Sequence, residues 1–95
     1  MKPLFPTGTR VTVSDRETTG HMRTPTYIRG KTGMIERRCG SFRNPETLAY
    51  GGDGMPEQPL YRVRFLQHDI WTNYLGPPQD TVDIEIYQHW LERAA

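Results

Sequence analysis

Leu60-Tyr61-Arg62-Val63-Arg64-Phe65 is the stretch on which the fold turns. Tyr61, Val63 and Phe65 fall on one face and the two arginines on the other, the period of two that a half-buried β-strand imposes. Working outward, the same alternation recurs in Thr9-Arg10-Val11-Thr12-Val13, after the turn Pro6-Thr7-Gly8. It recurs again in Thr81-Val82-Asp83-Ile84-Glu85-Ile86, with the acids outward. Gly33 opens a further strand, Met34-Ile35-Glu36-Arg37-Arg38, which Gly40 is expected to end. Tyr87-Gln88-His89-Trp90-Leu91 then closes the chain as a short turn or strand that packs Trp90 and Leu91 on the core.

Between these strands lie two long segments without periodicity. Ser14 to Lys31 contains Gly20, Pro25 and Gly30 and reads as an irregular surface excursion, the kind of loop that often carries function. Ser41 to Pro59 contains Gly51-Gly52-Asp53-Gly54 and reads as a second long loop, anchored by Phe42, Leu48 and Tyr50. Pro77-Pro78 makes a hard break after Trp71 and Leu75. Four or five short strands with a long loop after the first predict an all-β fold, a small SH3-like partly open barrel with long loops. A sandwich needs about seven strands. At 95 residues the chain is expected to be one domain, 1–95. A chain of this size buries about 60–68% of its unfolded surface, so the core is thin.

The composition restricts function. No run of about 18 apolar residues and no leader pattern stands in the sequence, which predicts a cytoplasmic protein. Cys39 is the single cysteine, so neither an internal disulfide nor a thiolate cluster can form. Arg37 and Arg38 beside it carry the charge that lowers a thiol pKa, although a lone cysteine is most often an ordinary residue. His21, His68 and His89 have no His or Cys neighbours at ligand spacing, so no metal is expected on this chain. A Gly-x-Ser-x-Gly elbow, a Walker lysine loop and a Cys/His nucleophile pattern are all missing, which speaks against self-contained catalysis. Net charge is only +1, yet residues 1–43 carry +6 and residues 44–95 carry −5. That division implies either an anionic partner for the first half or attraction between the halves.

The most specific stretch is Gly20-His21-Met22-Arg23-Thr24-Pro25-Thr26-Tyr27-Ile28-Arg29-Gly30-Lys31-Thr32-Gly33. It resembles the C-terminal part of the nitrile hydratase β subunit, whose pattern Gly-His-x-Arg-x-Pro-x-Tyr-x-Arg-Gly-Lys-x-Gly is matched at every fixed position. The resemblance extends from Gly8 to Glu92. Leu60-Tyr61-x-Val63-Arg64-Phe65 is similar to a strand of that family, Trp71 stands where its Glu-Leu-Trp element lies, and Asp80 to Glu92 looks like its terminal segment. Thr72 replaces the glycine after that tryptophan, Pro59 stands in a loop that usually holds a histidine, and Tyr87 and Trp90 exchange aromatic type.

The resemblance implies a role as one subunit of an enzyme that hydrates a nitrile to an amide. In such enzymes a Co(III) or Fe(III) ion sits in a Cys-x-x-Cys-Ser-Cys loop of the α subunit, with two cysteines oxidised. This chain would then bind no cofactor of its own. It would work beside that metal-binding α subunit and a separate helical subunit equivalent to the N-terminal half of β. Thiocyanate hydrolase and toyocamycin nitrile hydratase have that three-subunit arrangement. Arg29 first and Arg23 second are the expected contacts to the oxidised cysteines, because guanidinium stays charged and offers several donors in one plane. His21 and Tyr27 are expected at the substrate or subunit interface. The competing explanation for both arginines is that they bond the carbonyls of their own loop.

Three other functions compete. A thiocyanate hydrolase-type subunit would share the fold and differ in substrate. Gly30-x-x-Gly33-x-Ile35 is also similar to small RNA- and ribosome-associated barrels, whose binding is strongly salt dependent. Against that stand a pI of 7.9 and the acidic second half, since such domains usually exceed a pI of about 9. An accessory or maturation factor derived from the β subunit is the third.

Overall fold

A computed structural model describes residues 3–15, 24–49 and 51–94. Five antiparallel strands form one sheet: β1 (Arg10–Val13), β2 (Thr32–Phe42), β3 (Gln58–Leu66), β4 (Thr81–Tyr87) and β5 (Leu91–Arg93). Their order is β4-β3-β2-β1-β5. A 3-10 turn, Gln88–Trp90, carries the chain from β4 at one edge to β5 beside β1 at the other. The all-β expectation therefore holds, and the sheet is left unclosed between β4 and β5, as a partly open barrel requires.

The alternation read in the sequence is the alternation seen. Tyr61, Val63 and Phe65 are buried, as are Val11, Val13, Ile35 and Ile86, and Trp90 and Leu91 complete the same core. On the outer face of β3, Arg64 makes a two-pronged contact with Asp83 at 2.8 and 2.9 Å, and Arg62 reaches Glu85 at 3.4 Å. The buried Tyr61 hydroxyl donates to Gln88 Oε1 at 2.6 Å and accepts the Leu4 N–H at 3.0 Å, which ties the N-terminal segment across the core.

Strand β2 is longer than its sequence suggests. Gly40 does not end it. Pairing with β3 continues from Gly40 opposite Leu60 to Phe42 opposite Gln58, after register shifts at Ile35/Arg37 and Arg38/Gly40. Gly40 has φ +137°, a conformation open to glycine, so it bends the strand where another residue would break it. The loop expected over Ser41–Pro59 is correspondingly shortened from both ends. It also holds a short helix, α1 (Pro45–Ala49), and a second, α2 (Gln67–Ile70), follows β3. Phe42 and Leu48, expected as apolar anchors, are exposed, because the bulged strand end and the short helix turn them outward. Tyr50 lies outside the described residues.

Gly33 stands where β2 passes from β1 to β3. A Cβ there would lie 2.8 Å from the Arg64 carbonyl oxygen and 2.9 Å from both Phe65 and Val63 side chains. Gly33→Ala is therefore expected to cost about 1–3 kcal/mol, the range for overpacking a tight core, measured as a lower denaturant midpoint with unchanged m value.

The Arg64 hydrogen bond holds the Asp83 carboxyl below the usual carboxylate range. The stabilisation this gives is present above the ordinary aspartate pKa and is lost as pH falls through the lowered one. Asp83→Asn should accordingly lower the melting temperature modestly at neutral pH, as loss of an exposed ion pair does, and flatten its fall on acidification below pH about 4.

Candidate functional site

The described part of the motif loop is built on backbone hydrogen bonds at its stem. Gly30 N–H donates to the Val13 carbonyl at 2.8 Å, and Val13 N–H to the Lys31 carbonyl at 2.9 Å, which closes the excursion against β1. Pro25, with its φ near −61°, leads into a 3-10 turn over Thr26–Ile28. Ile28 and Thr24 are buried there, anchoring the loop's returning limb.

That anchoring separates two of the expected site residues. Tyr27 projects outward, 45% exposed, and stacks on Trp71 with ring centroids 5.2 Å apart and planes 25° apart. The Trp71 indole N–H is held by Gln67 Oε1 at 2.9 Å, so α2 fixes the platform on which Tyr27 rests. Arg29, two residues on, is half-buried and lies on the other side of the turn. Its guanidinium carbon is 6.0 Å from the centre of the Trp90 ring, and its Nη2 is 3.5 Å from the Thr24 carbonyl oxygen. The long Thr24 contact is a bond to the loop's own backbone. His21 and Arg23 lie outside the described residues.

Trp90, read from the sequence as a core residue, and Glu46, which the sequence did not single out, complete the surroundings of Arg29. Trp90 is 1% exposed, and its indole N–H donates to Glu46 Oε2 at 2.6 Å. The other Glu46 oxygen lies 3.1 Å from His89 Nε2. His89 Nδ1 is buried and finds no hydrogen-bond partner among the described residues. The tautomer protonated at Nε2, which donates to Glu46, is therefore the one this geometry uses. Glu46 is placed by α1, whose Asn44 caps it by accepting the Glu46 N–H at 3.0 Å. Asn44-Pro45-Glu46 is a helix-start signature that was available in the sequence.

Cavities are shallow. A groove of about 320 Å³ runs between Arg10, Met34, Leu66, Asp69 and Thr81, away from Arg29. A smaller one of about 100 Å³ lies between Thr24, Leu60, Glu85, Ile86 and Tyr87, at the foot of the motif loop. Among the described residues no group of three or more His, Cys, Asp or Glu side chains could hold a metal ion. Those residues do not fit a resident metal. Among the same residues no helix is long and apolar enough to cross a membrane.

At Cys39 the lowering by neighbouring arginines does not prevail. Burial pushes its thiol pKa up, the Glu85 carboxylate pushes it further, and these outweigh Arg37 and Arg62. The thiol contacts Glu85 Oε2 at 3.8 Å. Arg38, also beside it in sequence, is not among the groups that shift it.

The strand order, with the last strand returning beside the first through a 3-10 turn, defines a small SH3-like barrel of the partly open kind. The chain belongs to the family described as nitrile hydratase beta subunit, C-terminal, which it matches over residues 1–93. It is 33% identical over 91 residues to the nitrile hydratase subunit beta of Pseudomonas putida, covering 96% of this chain and 42% of that one. It is 35% identical over 90 residues to the cobalt-containing nitrile hydratase subunit beta of Pseudonocardia thermophila, covering 95% of this chain and 38% of that one. Thiocyanate hydrolase subunit alpha of Thiobacillus thioparus is 35% identical over 94 residues, covering 98% of this chain and 74% of that subunit. The solved recombinant apo-enzyme of that thiocyanate hydrolase superposes with a TM-score of 0.91 at 34% identity, over 98% of this chain and 78% of its own. The chain thus spans about two fifths of the length of the nitrile hydratase relatives it matches.

Cys39 should react with iodoacetamide more slowly at pH 8 than an unperturbed cysteine, because less of it is thiolate. Glu85→Gln should raise that rate severalfold, read by mass spectrometry of the alkylated chain.

Proposed function

We propose that residues 1–95 act as a barrel subunit of a nitrile hydratase-type enzyme, hydrating a nitrile to an amide beside a metal-binding partner. The observation that carries this reading is the family match over residues 1–93, supported by the described part of the motif loop, whose stem is bonded into β1. On this reading a partner α-type subunit with a Cys-x-x-Cys-Ser-Cys loop holds Co(III) or Fe(III), and a separate helical polypeptide supplies the counterpart of the N-terminal half of β. The ion supplies Lewis-acid activation of a carbon–nitrogen triple bond. The assembly is read as cytoplasmic.

This chain's part is orientation. Arg29 would give charge-assisted hydrogen bonds to the oxidised cysteines of the partner, with Arg23 second. Its fixed plane of donors, held on a turn whose backbone is bonded into β1, suits anions that must stay in one geometry. His21 and Tyr27 would line the interface. The stacked Tyr27–Trp71 pair offers a rigid, half-exposed aromatic surface, of the kind that anchors subunit contacts with little loss of side-chain freedom. The positive first half of the chain matches the anionic surface this assigns to the partner.

Thiocyanate as the substrate is the second reading. It is favoured by the larger share of the Thiobacillus thioparus subunit that the chain spans and by the 0.91 TM-score to that enzyme. Assaying the assembled complex with nitriles and with thiocyanate separates the two.

Each charge-assisted hydrogen bond lost from Arg29 is worth about 1.5–3 kcal/mol, so Arg29→Lys should lower turnover by about 10- to 100-fold with the barrel still folded. Full activity of that variant in the assembled complex would remove Arg29 from the role.

A further inference from the structure

The Glu46 carboxylate is only 19% exposed and takes two donors from one turn, Trp90 Nε1–H at 2.6 Å and His89 Nε2 at 3.1 Å. Both donors lie more than 40 residues further along the chain. Glu46 thereby pins the 3-10 turn Gln88–Trp90 and fixes the rotation of the Trp90 ring in the core. The ring presents its surface to Arg29, whose guanidinium carbon lies at the outer limit of cation–π distance, 6.0 Å. Because the bond from the indole is charge-assisted, the negative charge also polarises the N–H and enriches the ring on which Arg29 rests.

We infer that Glu46 is a positioning residue for Arg29, acting through Trp90. This rests on the reading of Arg29 given above and deepens it. A helix of five residues with no buried side chain has little packing to hold it. Its attachment through one carboxylate to the ring behind Arg29 gives α1 a role in the site that does not require it to touch a partner. Turning or loosening the ring would shift the guanidinium, and small misplacements of orienting groups are costly to turnover.

The test follows the Trp90 indole N–H and Arg29 Nε–H resonances by 15N NMR in the full chain, for wild type, Glu46→Gln and Glu46→Ala. Both resonances should move together in Glu46→Ala. In Glu46→Gln, whose amide oxygen still accepts the indole N–H, the Arg29 resonance should move less. In the assembled complex, Glu46→Ala should lower kcat about 10- to 100-fold with KM within about twofold. That loss should vanish in an Arg29→Lys background. A Trp90 resonance that moves while Arg29 stays put in both variants would overturn the inference. So would an equal kcat loss in the Arg29→Lys background. If Arg29 responds to Glu46 but Arg29→Lys is fully active, the positioning stands and the assigned role of Arg29 falls. Should Glu46→Ala fail to fold, Glu46→Gln against Glu46→Asp carries the same comparison.

Discussion

Strand β2 serves two neighbours. Its first residues pair with β1, Thr32 opposite Thr12 and Gly33 opposite Val11, and from Met34 onward it pairs with β3. Gly33 sits at the handover, with the β3 backbone and the Val63 and Phe65 side chains closer than any Cβ could tolerate. That approach lets one strand close the core on both sides. It also sets where the motif loop must land, because Lys31 is bonded to Val13 just before β2 begins. The last glycine of the motif is thus a packing requirement, whereas Tyr27 and Arg29 are free to be chosen for what they meet.

Around that landing point the chain sorts its side chains by direction. The short turn after Pro25 sends Ile28 into the core, Tyr27 out onto Trp71 and Arg29 across Trp90. A single turn can do this because successive positions point about a third of a revolution apart in 3-10 geometry. The acidic second half of the sequence uses both β3 arginines at home, Arg62 with Glu85 and Arg64 with Asp83. The outer face of β3 and β4 is in this way largely neutralised.

Strands were legible because a half-buried strand writes itself as alternation, and β3, β4 and β1 have little else in them. The extension of β2 was not, since Gly40 reads locally as a stop and only pairing with Leu60, Pro59 and Gln58 reveals a bulge. Helix α1 escaped notice for a related reason: it buries no side chain, so it has no apolar period, and its one signal was the Asn44 cap. The motif loop announced Arg29 and Tyr27 by pattern. Their neighbours Trp90 and Trp71 come from distant parts of the chain, and contacts of that kind leave no local trace. Cys39 shows the same limit, because the lowering by its sequence neighbour Arg37 is outweighed by burial and by Glu85 across the sheet.

The two tryptophans stand in opposite environments, Trp90 sealed in the core and Trp71 half in solvent under Tyr27. The protein therefore carries two built-in optical probes, one reporting on the integrity of the barrel and the other on whatever covers its outer aromatic ledge. The solvent-facing indole emits at longer wavelength than the sealed one, so the docking of another chain over that ledge becomes visible as a blue shift without any label.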